Sequence, residues 1–125
     1  MIYPVILKNK FGAIVHANYK SLTTCGEQWA RQGKMTGAVI IDSNLNQYEI
    51  TNTTIISNAN FLPSFLVAEK NRIAHVEFDT QESGRIELAD LKKQLIELLK
   101  SEPDTCVEIE SSKDFKEVCE SLSFA

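Results

Sequence analysis

The sequence predicts an α+β fold, a mainly antiparallel sheet with helices packed on one face. Three observations carry this. The apolar, β-branched run 37–42 and the Thr/Ile-rich run 47–57 are separated only by Ser43-Asn44-Leu45-Asn46, which is turn chemistry, so the two form a hairpin. Leu88, Leu91, Leu95, Leu98 and Leu99 recur at helical spacing and mark an amphipathic helix over 87–100. The 125 residues, 43% hydrophobic and 24% charged, fit one ordinary globular domain over 1–125. A chain of this size buries roughly two-thirds of its unfolded surface, enough for a core without disulfides or metal.

Residues 2–7 are β-rich, but Pro4 cannot donate a ladder hydrogen bond, so this is an edge strand or a strand start. After a Lys8-Asn9-Lys10 turn, residues 11–16 read as a second strand. Leu22, Cys25 and Trp29 share one helical face, with Thr24-x-x-Glu27 as a capping box and Gly33 as the stop. The continuous apolar run 37–42 suits a central strand buried on both faces. In the following turn the asparagines tolerate positive φ. In the returning strand the alternation breaks at Ile55-Ile56, which predicts a bulge. A polar loop is expected over 57–62 and a short helix over 64–69, with Pro63 at its first position. In a strand over 72–80, Ala74, Val76 and Phe78 point one way and Ile73, His75, Glu77 and Asp79 the other. Residues 81–85 then read as a turn around Gly84, and Pro103 closes the leucine helix. A short strand over 106–110 would place Val107 and Ile109 inward. Ser111-x-x-Asp114 reads as a capping pair before a last helix carrying Phe115, Val118, Cys119 and Leu122.

The N-terminal stretch has no basic region and no small-residue cleavage site, so a strand is expected there rather than a signal peptide, and the cytoplasm is the expected compartment. No apolar run reaches the roughly 18 residues of a membrane helix. Three widely spaced cysteines, Cys25, Cys106 and Cys119, fit reduced thiols better than a disulfide framework. The net charge of −4 is lopsided: residues 1–75 hold seven Lys/Arg and four Asp/Glu, net +3, and residues 76–125 hold six and thirteen, net −7.

No catalytic motif stands out. Cys25 lacks a histidine that the sequence ties to it as a base. His75, Glu77 and Asp79 share a strand face that could hold a cation or do acid–base work, and a solvent-facing polar strand is the competing reading. Gly33-Lys34-Met35-Thr36-Gly37 lacks phosphate-loop spacing. Asp42 ends a buried strand, where it could be catalytic or could open the hairpin turn. Lys8, Lys10 and Lys20 form the one local basic grouping, too few for direct nucleic-acid binding. No metal site, cofactor or enzymatic activity is expected. The feature with most functional content is the set Glu77, Asp79, Glu82, Glu108 and Glu110. On neighbouring strands their carboxylates would make one negative patch that steers a basic partner.

Across residues 27–50, the helix-like Glu27-Gln28-Trp29-Ala30-Arg31-Gln32-Gly33-Lys34 leads into the strand Gly37-Ala38-Val39-Ile40-Ile41-Asp42, a polar Ser43-Asn44-Leu45-Asn46 turn and the returning Gln47-Tyr48-Glu49-Ile50. With the later leucine-rich helix, this resembles the small immunity proteins of bacterial contact-dependent and other polymorphic toxin systems. The resemblance implies a non-enzymatic role: tight binding to one cognate toxin domain, often a nuclease, so as to block its active site. A nuclease site is basic because it binds phosphates, and carboxylates in that geometry gain charge-assisted hydrogen bonds. The alternatives are a regulatory or assembly subunit and, further off, a small enzyme using Asp42 or the His75/Glu77/Asp79 face.

Overall fold

A computed structural model of the chain describes residues 1–60 and 62–125. The described residues form one curled, antiparallel six-stranded sheet in the order β2-β1-β4-β5-β6-β3, together with five helices.

β1 (Val5–Asn9) begins directly after Pro4 and lies between β2 and β4, so the proline marks a strand start and removes no ladder bond. β1 turns into β2 (Gly12–His16) through Lys10-Phe11, where Asn9 Oδ1 accepts from the Phe11 amide at 2.8 Å. Lys8 and Asn9 thus belong to the ladder rather than to the turn.

The single helix expected around Leu22, Cys25 and Trp29 is instead three elements. α1 (Tyr19–Leu22) is capped by Asn18, β3 (Thr24–Gly26) pairs with β6, and α2 (Glu27–Arg31) follows. Thr24 Oγ1 donates to Lys20 O at 2.7 Å and does not cap α2. The Glu27 amide goes instead to Arg72 O at 2.9 Å. The sheet edge outcompetes helix propensity over a segment containing Gly26. The predicted stop at Gly33 is present: at φ 67° its amide bonds Ala30 O while the Lys34 amide bonds Trp29 O, the paired closure of a left-handed C-terminal cap.

β4 (Val39–Ile41) is buried on both faces, Ile40 toward one cluster and Ile41 toward the other, as its unbroken apolar run requires. In the turn to β5 (Asn46–Asn58) the residue at positive φ is Leu45, at 65°, not an asparagine. Its amide bonds Asp42 O, and it packs against the helix-side core, which offsets a conformational cost of about 1–2 kcal/mol. The bulge expected near Ile55-Ile56 is there: Ile55 faces Val76 and Ser57 faces His75, leaving Ile56 unpaired. In the connection to β6, 3-10 turns at Ser64–Leu66 and Glu69–Asn71 stand where one short helix was expected. Phe61, within the loop expected over 57–62, lies outside the described residues.

β6 (Ile73–Arg85) runs five residues past its expected end. Gly84, at φ 91°, sits in an irregular step of the ladder between the Tyr48–Glu82 and Asn46–Arg85 pairs, so the glycine bends a strand rather than ending one.

α3 (Leu88–Leu98) lays its leucine stripe on the sheet, with Leu91 and Leu95 fully buried; each contributes about 1.5–3 kcal/mol by burial. Pro103 opens α4 (Pro103–Ser111) as its first-turn residue. This corrects the strand expected over 106–110. A short apolar run cannot distinguish the two periods, and the helical one puts Ile109 in the core and Val107 in solvent. Ser111 is the last residue of α4, its Oγ donating to Glu108 O at 3.1 Å, and it does not cap the next helix; Asp114 caps α5 (Phe115–Ser121), its Oδ1 accepting from the Glu117 amide at 2.8 Å.

The core has two sides. On one, Ile6, Val15 and Ile41 meet α3, α4 and α5. On the other, Val5, Leu7, Ile40 and Ile50 are closed by Leu22 of α1, Trp29 of α2 and Met35 of the turn that follows it. The three longer helices therefore cover the β2–β1–β4 part of one face. The C-terminal Ser123 and Ala125 bond Val15 along the outer edge of β2. Among the described residues no helix is long and apolar enough to cross a membrane.

Candidate functional site

The five predicted contact carboxylates fall in three places. Glu77 and Asp79 are exposed on the face of β6 opposite Ala74, Val76 and Phe78. Asp79 Oδ2 accepts from Asn52 Nδ2 at 3.4 Å across the ladder. Glu82 pairs in register with Tyr48, and paired residues share a face, so it points to the opposite side. Partial burial, then the charges of Asp42 and Glu82, hold the Tyr48 phenol above its ordinary range. Glu108 and Glu110 are on α4, in the helical layer over β2, β1 and β4, not on a strand beside β6. β6 stands two strands beyond β4, about 10 Å across the sheet. The single acidic strip expected from strand pairing is therefore replaced by a pair on β6, a lone Glu82 behind it, and a separate pair on α4.

The ribbon of β5 and β6 has two further properties. β3 covers only Ile73–His75 of β6, and the Val76 amide bonds Thr23 O; beyond that, among the described residues, the outer edge of β6 from Glu77 to Arg85 has no partner strand. The far end of the ribbon exposes large apolar side chains: Phe65 at 81%, Ile56 at 61%, Leu66 at 59%, with Leu62 and Ile73 beside them in the chain. Ile73 lies on the strand face that carries Glu77 and Asp79. Sequence reasoning passed over this end. The signal was legible in the run Leu62-Pro63-Ser64-Phe65-Leu66-Val67, which is too apolar for a connection between strands and too short to bury itself.

The other candidates resolve into structure. Asp42, 1% exposed, accepts from the amides of Asn44 and Asn46 at 3.0 Å and of Ile2 at 3.2 Å, so its carboxylate fixes the hairpin turn and the N-terminal segment. His75 Nδ1 lies 3.2 Å from Thr24 Oγ1, and no three His, Cys, Asp or Glu side chains among the described residues converge on a metal position. Burial pushes the Cys25 thiol up, and burial, then Glu120, pushes Cys119 up to about 12. Both thiols are held protonated, the opposite of what nucleophilic chemistry requires. The Gly33–Gly37 segment bonds itself, Thr36 amide to Gly33 O and Ala38 amide to Met35 O, and offers no open nest for phosphate. Of the three lysines grouped in sequence, Lys8 and Lys10 lie together beside α3, whereas Lys20 is on α1.

No protein-family model, curated protein or solved structure matches the chain.

Proposed function

We propose that this chain is a cytoplasmic inhibitor of the immunity type, which binds a basic protein domain in one-to-one fashion and covers that domain's working surface. The observation that carries the reading is the end of the β5–β6 ribbon. Phe65, Leu66, Ile56 and Ile73 supply exposed apolar anchors, and Glu77 and Asp79 follow on the same strand as Ile73. Interfaces draw their affinity from a few such anchors and their encounter rate and selectivity from surrounding charge. Paired carboxylates favour a basic partner over an acidic one and over a second copy of this chain. A toxin domain that acts on nucleic acid is basic where it binds phosphates, and so presents the complementary charge.

The test is co-expression with the C-terminal domain encoded by the reading frame immediately upstream. The expected results are rescue of growth and a stable complex. Phe65→Ala should weaken that complex about 30-fold or more, as loss of an anchor does. Glu77→Lys with Asp79→Lys should slow association, with a marked salt dependence. Failure to obtain both the rescue and the complex would overturn the reading. The unpaired edge of β6 favours a second reading, an assembly subunit whose partner adds a strand there. A complex without growth rescue would select it.

A further inference from the structure

A groove of about 1030 Å³ opens between α3 and the β1–β4 part of the sheet, away from the ribbon. Four lysines line it, Lys8 of β1, Lys10 of the hairpin turn, and Lys92 and Lys93 of α3, against two carboxylates, Glu97 and Glu110. None of the four is ion-paired: among the described residues the side-chain ion pairs within 4.0 Å join Arg31 to Glu27 and Lys100 to Glu97. Two of the lysines are otherwise engaged. Lys92 Nζ donates to Glu110 O and Ser112 O, both at 2.8 Å, closing the end of α4, and Lys10 Nζ lies 5.2 Å over the Phe11 ring. Lys8 is half-buried and donates only to the neutral Gln94 Oε1. Burial alone pulls its ammonium below the ordinary lysine value. A half-buried cation with no carboxylate within ion-pair distance carries a desolvation cost that a bound anion offsets.

The floor decides what kind of anion. It is aliphatic, Val39 of β4 and Ile96 of α3, both half-buried at the margin of the core. Among the described residues no aromatic side chain lines it to stack on a nucleobase. β1 and β4 are both paired along each edge, so an incoming peptide would find no strand to bond its backbone amides. A ligand that brings acceptors at one end and hydrocarbon elsewhere meets every group offered, and the volume is at the upper end of small-molecule sites. We propose that this groove binds an amphiphile with an aliphatic body and one anionic head, the head against Lys8 and Lys93 and the chain along Val39 and Ile96.

Calorimetric titration of the full chain tests this with decanoate and decyl phosphate, which separate a carboxylate from a phosphate head. Decyltrimethylammonium and acetate serve as controls. Saturable one-to-one binding of at least one of the two anions is expected, with little for either control. Lys8→Met should weaken it about tenfold, the loss of one charge-assisted contact. Lys93→Met is exposed, cannot unfold the chain and should act in the same direction. Ala89→Trp, on the exposed rim, should fill the groove and abolish binding, while Phe65→Ala leaves it unchanged and so separates this site from the ribbon. Absence of saturable binding by both anions would overturn the proposal. So would equal affinity for decyltrimethylammonium, acetate binding as tightly as decanoate, or indifference to both Lys93→Met and Ala89→Trp.

Discussion

In the β2–β1–β4 half of the sheet every strand residue is buried or half-buried. Val5, Ile6, Ile40 and Ile41 are all fully buried, alternating between two clusters that helices close from opposite sides. In the β5–β6 ribbon, beyond Ile50, Ala74 and Val76, most side chains face water, and the apolar ones at its far end are among the most exposed in the chain. The halves differ in composition as well as in what packs on them: β1, β2 and β4 are mostly apolar, whereas β5 and β6 are mostly polar. Thirteen-residue strands reach past the helical layer, and what projects contributes little to the core. The covered half holds the fold, and the projecting half is free to be a surface. A projecting ribbon that keeps its apolar residues without burying them spends solubility on something other than stability.

The sharpest way to break this contrast is Leu95→Ala. Leu95 is fully buried between α3 and the sheet, and its truncation should cost about 2–5 kcal/mol in denaturant unfolding. A change below 1 kcal/mol would mean that the helical layer is not what holds the covered half. Next comes Asp42→Ala, which strands the amides of Ile2, Asn44 and Asn46; about 2–3 kcal/mol should be lost, read from the same unfolding curves. Since Asp42 fixes the turn at which the two halves meet, Asp42→Asn, which keeps one acceptor oxygen, should recover part of that loss.

These residues also mark how far the sequence reaches. The doubly buried β4, the leucine stripe of α3 and the bulge at Ile56 were legible because each rests on local periodicity that packing then reinforces. α4 was not, because Val107 and Ile109 fit a strand's alternation as well as a helix, and only α3 and α5 on either side decide it. The last residues of β6 were not, because Gly84 marks a turn and a bulge equally well in one dimension. The acidic patch failed with α4, since Glu108 and Glu110 moved to another layer. The lysine groove joins positions 8 and 10 to 92 and 93, a juxtaposition set by the docking of α3 that no local pattern encodes.

His16, at the end of β2, sharpens the covered half through pH. It is buried with Nδ1 2.8 Å from Ser21 Oγ, and burial holds its pKa below the ordinary 6.5. The unfolded chain therefore takes up a proton first. The stability tied to a neutral His16 is fully present above about pH 6.5 and is lost as the pH falls from there through the lower folded-state value. Thermal melts from pH 7.5 downward should show this fall, and His16→Gln should flatten it. An unchanged slope in the variant would mean that His16 does not carry the acid sensitivity.

The smallest expected effect is the most telling. Phe65→Ala and the pair Glu77→Lys with Asp79→Lys should each leave the unfolding free energy within about 0.5 kcal/mol, as exposed substitutions do. Nothing covers Phe65, so its truncation opens no cavity, and reversing Glu77 and Asp79 removes only the 3.4 Å contact from Asn52 to Asp79. If Phe65→Ala instead cost 2 kcal/mol, the ribbon end would be packing against something within the chain, and the contrast between the halves would collapse. If it costs nothing while binding to a basic partner falls, the same side chain is neutral for folding and decisive for recognition. A residue only behaves that way when its partner is another molecule.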